Sequence, residues 1–159
     1  MIAKQRKSFV CYLLIFLHNF LGIGALFGGG LLIVYPDGSI LSMSTDILQT
    51  SPFDDFLIPG LILFFALGIL PIITAIFLIS EKSLKIAEKV SLYKETHWSW
   101  NSSLYIGFVL IIWITVEVYM IQGVAFIHVF YIFLGIAIQF ITLLPSVKEH
   151  YTNNCIKRK

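Results

Sequence analysis

Glu117 is the most costly residue in this 159-residue chain, a lone carboxyl within an otherwise apolar run. If that run crosses a bilayer, insertion scales put an acid or base at mid-helix near +2.5 to +3.5 kcal/mol, so such a group needs a hydrogen-bonding partner or a function. His128 lies in the next apolar run. Glu117 stands five residues before the dipeptide Gln122-Gly123 and His128 five residues after it. On two antiparallel helices joined at that turn the pair shares one depth, and a Glu–His hydrogen bond is the natural expectation. Carboxyl and imidazole together can handle a proton or hold a ligand. The competing expectation is an interhelical polar clamp that only ties the hairpin together.

Around this pair the polar residues fall into patterns. His128, Tyr131, Gly135, Gln139 and Thr142 recur at steps of three or four, one face of a helix. That face either lines a polar cavity or marks the packing surface of its helix. His18 and Asn19 lie near the middle of the first apolar run, followed by Gly22, Gly24, Gly28, Gly29 and Gly30. Small residues let helix backbones approach closely, and Gly24-x-x-x-Gly28 has the small-xxx-small spacing of such contacts. The alternative is that missing side chains leave room for a lipid. Gly24 to Gly28 fall level with Glu117 and His128, so the sequence predicts a pocket walled by first-helix glycines, Glu117, His128 and Tyr131, opening to the outer leaflet.

The elements that position these groups follow from composition. Apolar residues make up 58% of the chain and charged residues 13%, against roughly 45–50% and 25% in soluble domains. A bilayer is the solvent that suits this balance. Four runs reach the length of about 20 residues needed to cross it, over approximately 9–34, 56–79, 104–121 and 124–147. The reading is an all-α four-helix bundle in a single membrane domain, with an outer loop over 35–55 and an inner loop over 80–103. Lys4, Arg6 and Lys7 before the first run imitate a signal peptide. That run exceeds the roughly 7–15 residues of a signal core and lacks a small-residue cleavage site, so it is expected to be a retained helix.

All eleven basic residues fall on one side of this arrangement. Lys4, Arg6 and Lys7 precede the first span; Lys82, Lys85, Lys89 and Lys94 lie in the inner loop; Lys148, Lys157, Arg158 and Lys159 follow the fourth. The loop over 35–55 has no Lys or Arg but carries Asp37, Asp46, Asp54 and Asp55. The positive-inside rule then places both termini in the cytoplasm. Trp98 and Trp100 are expected at the inner interface. Pro36-Asp37-Gly38-Ser39 reads as a turn, and 43–49 as a short interfacial helix. Ser51-Pro52 with Asp54 and Asp55 reads as a helix start. The segment 81–94, with Ile86, Val90 and Tyr93 on one side and Glu81/Lys85 at i,i+4, is expected to continue the second span as a cytoplasmic amphipathic extension.

Several exclusions follow. A net charge of +2 is too small to suggest nucleic acid. Cys11 and Cys155 form neither a CxxC pair nor a metal spacing, and lie where thiols stay reduced. The four aspartates lack the spacing of a calcium loop. No catalytic motif, cofactor or metal is implied.

The strings Pro36-Asp37-Gly38-Ser39, Ser51-Pro52-Phe53, Asp55-Phe56-Leu57-Ile58-Pro59-Gly60 and Gly68-Ile69-Leu70-Pro71, with Trp113-Ile114, Val116-Glu117, Tyr131, Gly135 and Leu144-Pro145, give the chain a family likeness. It resembles an uncharacterised family of small bacterial four-helix integral membrane proteins over nearly its whole length. The resemblance implies a multi-pass protein of the bacterial inner membrane and carries over no activity. Relatives with Gln near the position of Glu117 imply a hydrogen-bonding role for it.

Three functions fit these residues. The favoured one is a non-catalytic accessory, lipid-binding or scaffold protein whose partners are the bilayer and either a membrane protein or a second copy. The alternatives are a small proton-coupled transporter using Glu117, and a membrane-embedded lipid-modifying enzyme with Glu117 and His128 as acid and base.

Overall fold

The structure is a computed structural model and describes residues 6–156; Lys4, Lys157, Arg158 and Lys159, four of the topology signals, lie outside the described residues. All regular elements in that range are helical. Four helices are long and apolar enough to cross a membrane: α1 (Phe9–Val34), α2 (Leu57–Ser80), α4 (Trp98–Ile121) and α5 (Phe126–Leu143). Between them lies a short helix, α3 (Lys85–Val90), and after them comes α6 (Pro145–Ile156). At 1.5 Å per residue the 18 residues of α5 reach about 27 Å, close to the hydrocarbon thickness.

The helices alternate in direction. The N-terminal end of α1, the α2–α4 connection and α6 therefore meet at one end of the bundle, here the basic end. The loop from Tyr35 to Phe56 and the α4–α5 turn meet at the other, the acidic-loop end.

Glycines set the packing. Helix α1 crosses α2 at two glycine pairs. A Cβ on Gly29 would lie 2.8 Å from the Gly60 carbonyl oxygen, and one on Gly22 would lie 3.0 Å from that of Gly68. Gly107 of α4 and Gly135 of α5 meet in the same way, each Cβ position 3.1–3.2 Å from the other's carbonyl. Lipid tails are as apolar as leucine, so close backbone contact rather than apolar burial drives such association.

Helix α2 is not regular throughout. Leu63–Ile69 is a π-helical segment, and the Leu70 N–H bonds the Phe65 carbonyl five residues back. Pro71 follows at the start of the regular turn. Its ring has no N–H to give and crowds the carbonyl four residues earlier, and a widened turn relieves both problems.

At the acidic-loop end the chain is pinned locally. Asp37 Oδ1 accepts from the Ser39 N–H at 3.2 Å and hydroxyl at 2.9 Å. Gly38 has φ +74°, and a Cβ there would lie 2.7 Å from the Met43 carbonyl, so glycine is required on two counts. The segment expected to be helical over 43–49 is a single 3₁₀ turn, Thr45–Leu48. Helix α2 begins at Leu57 rather than near Ser51. Phe56 is buried against Leu32 and Leu48, its N–H bonds the Pro36 carbonyl at 2.8 Å, and Asp55 Oδ1 caps the Leu57 N–H at 2.9 Å. Tertiary burial of Phe56 thus overrides the local start signal. Thr50 donates its hydroxyl to the Met120 carbonyl and fastens the loop to α4.

The basic end departs from expectation in four places. Helix α2 does not run on into an extension: it stops at Ser80, Glu81 turns left-handed at φ 55°, and only Lys85–Val90 is helical beyond it. The Glu81 N–H closes the end of the helix on the Phe77 carbonyl at 2.8 Å. Helix α4 starts at Trp98, not near 104, because His97 Nδ1 accepts the Ser99 N–H at 3.3 Å as an N-cap. Trp100 is not an interfacial anchor but 1% exposed, its indole N–H bonded to the Thr142 carbonyl at 2.8 Å. Helix α5 ends at Leu143, because Leu144 precedes Pro145 and takes an extended ψ of 135°; the chain restarts as α6 with proline in its first position.

Ser103 and Thr142 share a buried hydrogen bond of 2.8 Å between α4 and α5. Intramembrane bonds of this kind average roughly 0.6 kcal/mol, so Ser103→Ala is expected to lower unfolding stability by about that amount. Denaturant titration of the reconstituted protein checks it.

Candidate functional site

A cavity of about 370 Å³ opens inside the bundle in the half nearer the acidic loop, bounded by α1, α2, α4 and α5. Its polar groups are Glu117 of α4 and His128 and Tyr131 of α5, while the rest of the wall is aliphatic side chains, glycines and Met43. A second cavity of about 260 Å³ lies beneath the loop, against Phe56, Trp113 and Met120. Glu117 and His128 line both. The two chambers therefore share a wall that holds the polar pair beside Leu32, Met43, Leu63 and Ile127. The larger volume is on the scale of small-molecule sites, which run from about 300 Å³ upward and combine apolar walls with a few placed polar groups.

The cavity has identifiable causes. Gly24 and Gly28 of α1 leave space where any other residue would project. The nearest atom to a Cβ on Gly28 is Leu63 Cδ2 at 3.7 Å, and on Gly24 the Tyr131 hydroxyl at 3.2 Å. Four of the five first-helix glycines divide into two pairs. Gly22 and Gly29 sit against the backbone of α2, whereas Gly24 and Gly28 form part of the cavity wall. Leu63 and Leu67 of the π-helical segment form the opposite wall. Single widened turns of this kind occur frequently at functional sites.

The expected Glu117–His128 hydrogen bond is not formed. His128 Nδ1 instead accepts the Ala125 N–H at 2.9 Å, capping the N-terminus of its own helix. That bond fixes the tautomer: Nδ1 carries the lone pair, so the ring proton resides on Nε2. Glu117 is half-buried. The site therefore holds one carboxyl, one hydroxyl and one imidazole N–H, and no cationic side chain.

The remaining candidates lie elsewhere. Gly135, Gln139 and Thr142 belong to the α4–α5 contact, where the Gln139 side chain packs over Gly107. The face beginning at His128 is a cavity wall for its first turn and a packing surface below. His18 is fully buried, donates Nδ1–H to the Leu14 carbonyl at 2.9 Å and leaves Nε2 without a partner among the described residues. Asn19 bonds the Ile15 carbonyl at 2.8 Å. Neither lines the cavity. Among the described residues no three His, Cys, Asp or Glu side chains gather as a metal site.

One polar cluster escaped the sequence reading. At the basic end Glu81 of the α2 terminus takes an ion pair from Lys7, before α1, and lies 3.0 Å from His150 Nε2 of α6. Next to it the Tyr151 hydroxyl donates to the Leu78 carbonyl at 2.9 Å. Burial alone would raise the Glu81 carboxyl, but hydrogen bonds and charge from Lys7 and His150 outweigh it and hold the group below its ordinary value. Burial pushes the Tyr151 phenol up, helped by Cys11 and Glu81. The i,i+4 pairing of Glu81 with Lys85 was the visible local signal, whereas the actual partners are 74 and 69 residues away.

Comparison of the chain with protein-family models, with curated proteins and with solved structures gives no match.

Proposed function

We propose that this protein is a non-catalytic lipid-binding protein of a bacterial inner membrane, with the basic end in the cytoplasm and the cavity level with the outer leaflet. The observation that carries the reading is the cavity of about 370 Å³ with its apolar wall and three convergent polar groups. In this placement Gly24, one-turn neighbour of Gly28 and exposed on the α1 surface, marks an entrance from lipid. The one-sided distribution of basic residues supports the orientation. The likeness to small bacterial four-helix membrane proteins supports the location.

Gentle extraction followed by mass spectrometry of what travels with the protein tests this. The expected result is one lipid class retained near one per chain. Retention of bulk lipid only, with a stoichiometric protein companion, would instead assign the protein to the accessory-subunit reading.

The transporter alternative rests on Glu117 as the lone carboxyl within a span. Glu117→Gln separates the two. In the lipid-binding reading the variant keeps its lipid, because the amide still hydrogen bonds. In a proton-coupled transporter the same change abolishes pH-driven flux in proteoliposomes. The enzyme reading needs proton exchange between Glu117 and His128, and the commitment of His128 Nδ1 to the Ala125 N–H leaves only Nε2 for it.

A further inference from the structure

We infer that the occupant of this cavity is a two-chain lipid with an uncharged, hydroxyl-bearing head, with Glu117 and His128 binding the head where the two apolar chambers meet. The inference rests on the lipid-binding reading above and adds the chemistry of the ligand.

Two observations lead to it. The first is the shape. Glu117 and His128 belong to the wall shared by the 370 Å³ and 260 Å³ chambers, together with Leu32, Met43, Leu63 and Ile127, so the polar groups border two apolar spaces rather than one. A molecule with a small polar centre and two apolar arms matches that plan. A single-chain amphiphile would leave one chamber empty, and lining atoms without a partner forfeit their dispersion contacts.

The second is the balance of donors and charge. The walls of both chambers hold no Lys or Arg. The described cations that flank the spans belong to the basic end: Lys7 is engaged with Glu81 there, and Lys82, Lys89, Lys94 and Lys148 lie in the connections and α6 at that end. A phosphate head brought to the cavity would meet a carboxyl and no countercharge, and burying an unpaired charge is heavily disfavoured. A hydroxyl has no such penalty. It accepts from His128 Nε2–H, whose proton is placed there by the Ala125 N–H on Nδ1. It also donates to Glu117, whichever protonation state the carboxyl holds. Tyr131 can take either role.

The experiment is native mass spectrometry of the full-length protein in detergent, titrated with dioleoylglycerol or with dioleoyl phosphatidate. The two probes share their chains and differ by one phosphate. The wild type is expected to bind dioleoylglycerol at one per chain and phosphatidate at least about tenfold more weakly. Gly28→Leu is expected to remove the one-per-chain binding of dioleoylglycerol. Equal or tighter binding of phosphatidate, still removed by Gly28→Leu, would overturn the head assignment and leave the lipid cavity standing. Binding that survives Gly28→Leu, or no binding of either probe, would overturn the cavity reading and the head assignment with it.

Discussion

Gly28→Leu is expected to abolish lipid retention while leaving the fold as stable as before, or slightly more so. The space is there: the Cβ position faces Leu63 at 3.7 Å, an ordinary contact, and the branches beyond it enter the 370 Å³ cavity. Leucine is also a better helix former than glycine, by somewhat less than the roughly 0.8–1 kcal/mol that separates glycine from alanine, so a loss of binding cannot be attributed to a weakened helix. Lipid occupancy is expected to fall at least about tenfold, read by mass spectrometry, with the thermal midpoint in lipid-depleted detergent unchanged or raised. The adjacent position supplies the control. A Cβ on Gly29 would lie 2.7 Å from the Phe64 backbone nitrogen and 2.8 Å from the Gly60 carbonyl. Backbone atoms cannot step aside as a side-chain tip can, so Gly29→Ala is expected to cost about 1–3 kcal/mol through overpacking. Were Gly28→Leu to destabilise as Gly29→Ala does, Gly28 would be a packing residue and the cavity reading would be lost.

Glu81→Gln is expected to be the most destabilising single change at the basic end, by about 3–5 kcal/mol. That is the usual effect of removing one member of a buried ion pair. Glu81 is 2% exposed, with Lys7 and His150 at 8% and 3%. The cluster joins the segment before α1, the end of α2 and α6, so its loss loosens three elements together. Removing Lys7 as well, in Glu81→Gln/Lys7→Gln, is expected to recover part of the loss, and the double-mutant cycle gives the coupling. The pH dependence has a defined sign. The folded-state carboxyl is held below its ordinary value of 4.5. Its stabilising contribution is therefore complete above that pH and is lost as pH falls through the lower, folded-state value. The difference in thermal midpoint between wild type and Glu81→Gln is expected to shrink as pH falls below about 4.5. A difference that stays constant at acid pH would show that the carboxylate charge contributes nothing.

What the chain alone determined is what depends on composition and period. Four spans, their alternation and the one-sided placement of Lys and Arg can be read from runs of apolar residues, because a bilayer requires each crossing to satisfy its own backbone as a helix. The level shared by Glu117, His128 and Gly24 to Gly28 is also legible, since depth along a helix is only residue count times 1.5 Å. Rotation about each helix axis is not legible in the same way. Gly22, Gly24, Gly28 and Gly29 look alike in the chain, yet two meet the backbone of α2 and two line the cavity. Which is which depends on how α1 crosses a neighbour far away in sequence. The hydrogen bond expected between Glu117 and His128 gave way to a local one, because the Ala125 N–H at a helix start needs a partner and His128 Nδ1 is within reach.

The Lys7–Glu81–His150 cluster was invisible for a related reason. Its members belong to three segments, and the local pattern favoured Lys85 as the partner of Glu81. Only the tertiary fold decided that α2 stops at Ser80 and turns Glu81 back into the bundle. Sequence sets each helix, its depth and its direction through local periodicity and solvent preference; the fold sets which faces meet, because that is decided by packing between residues the chain separates.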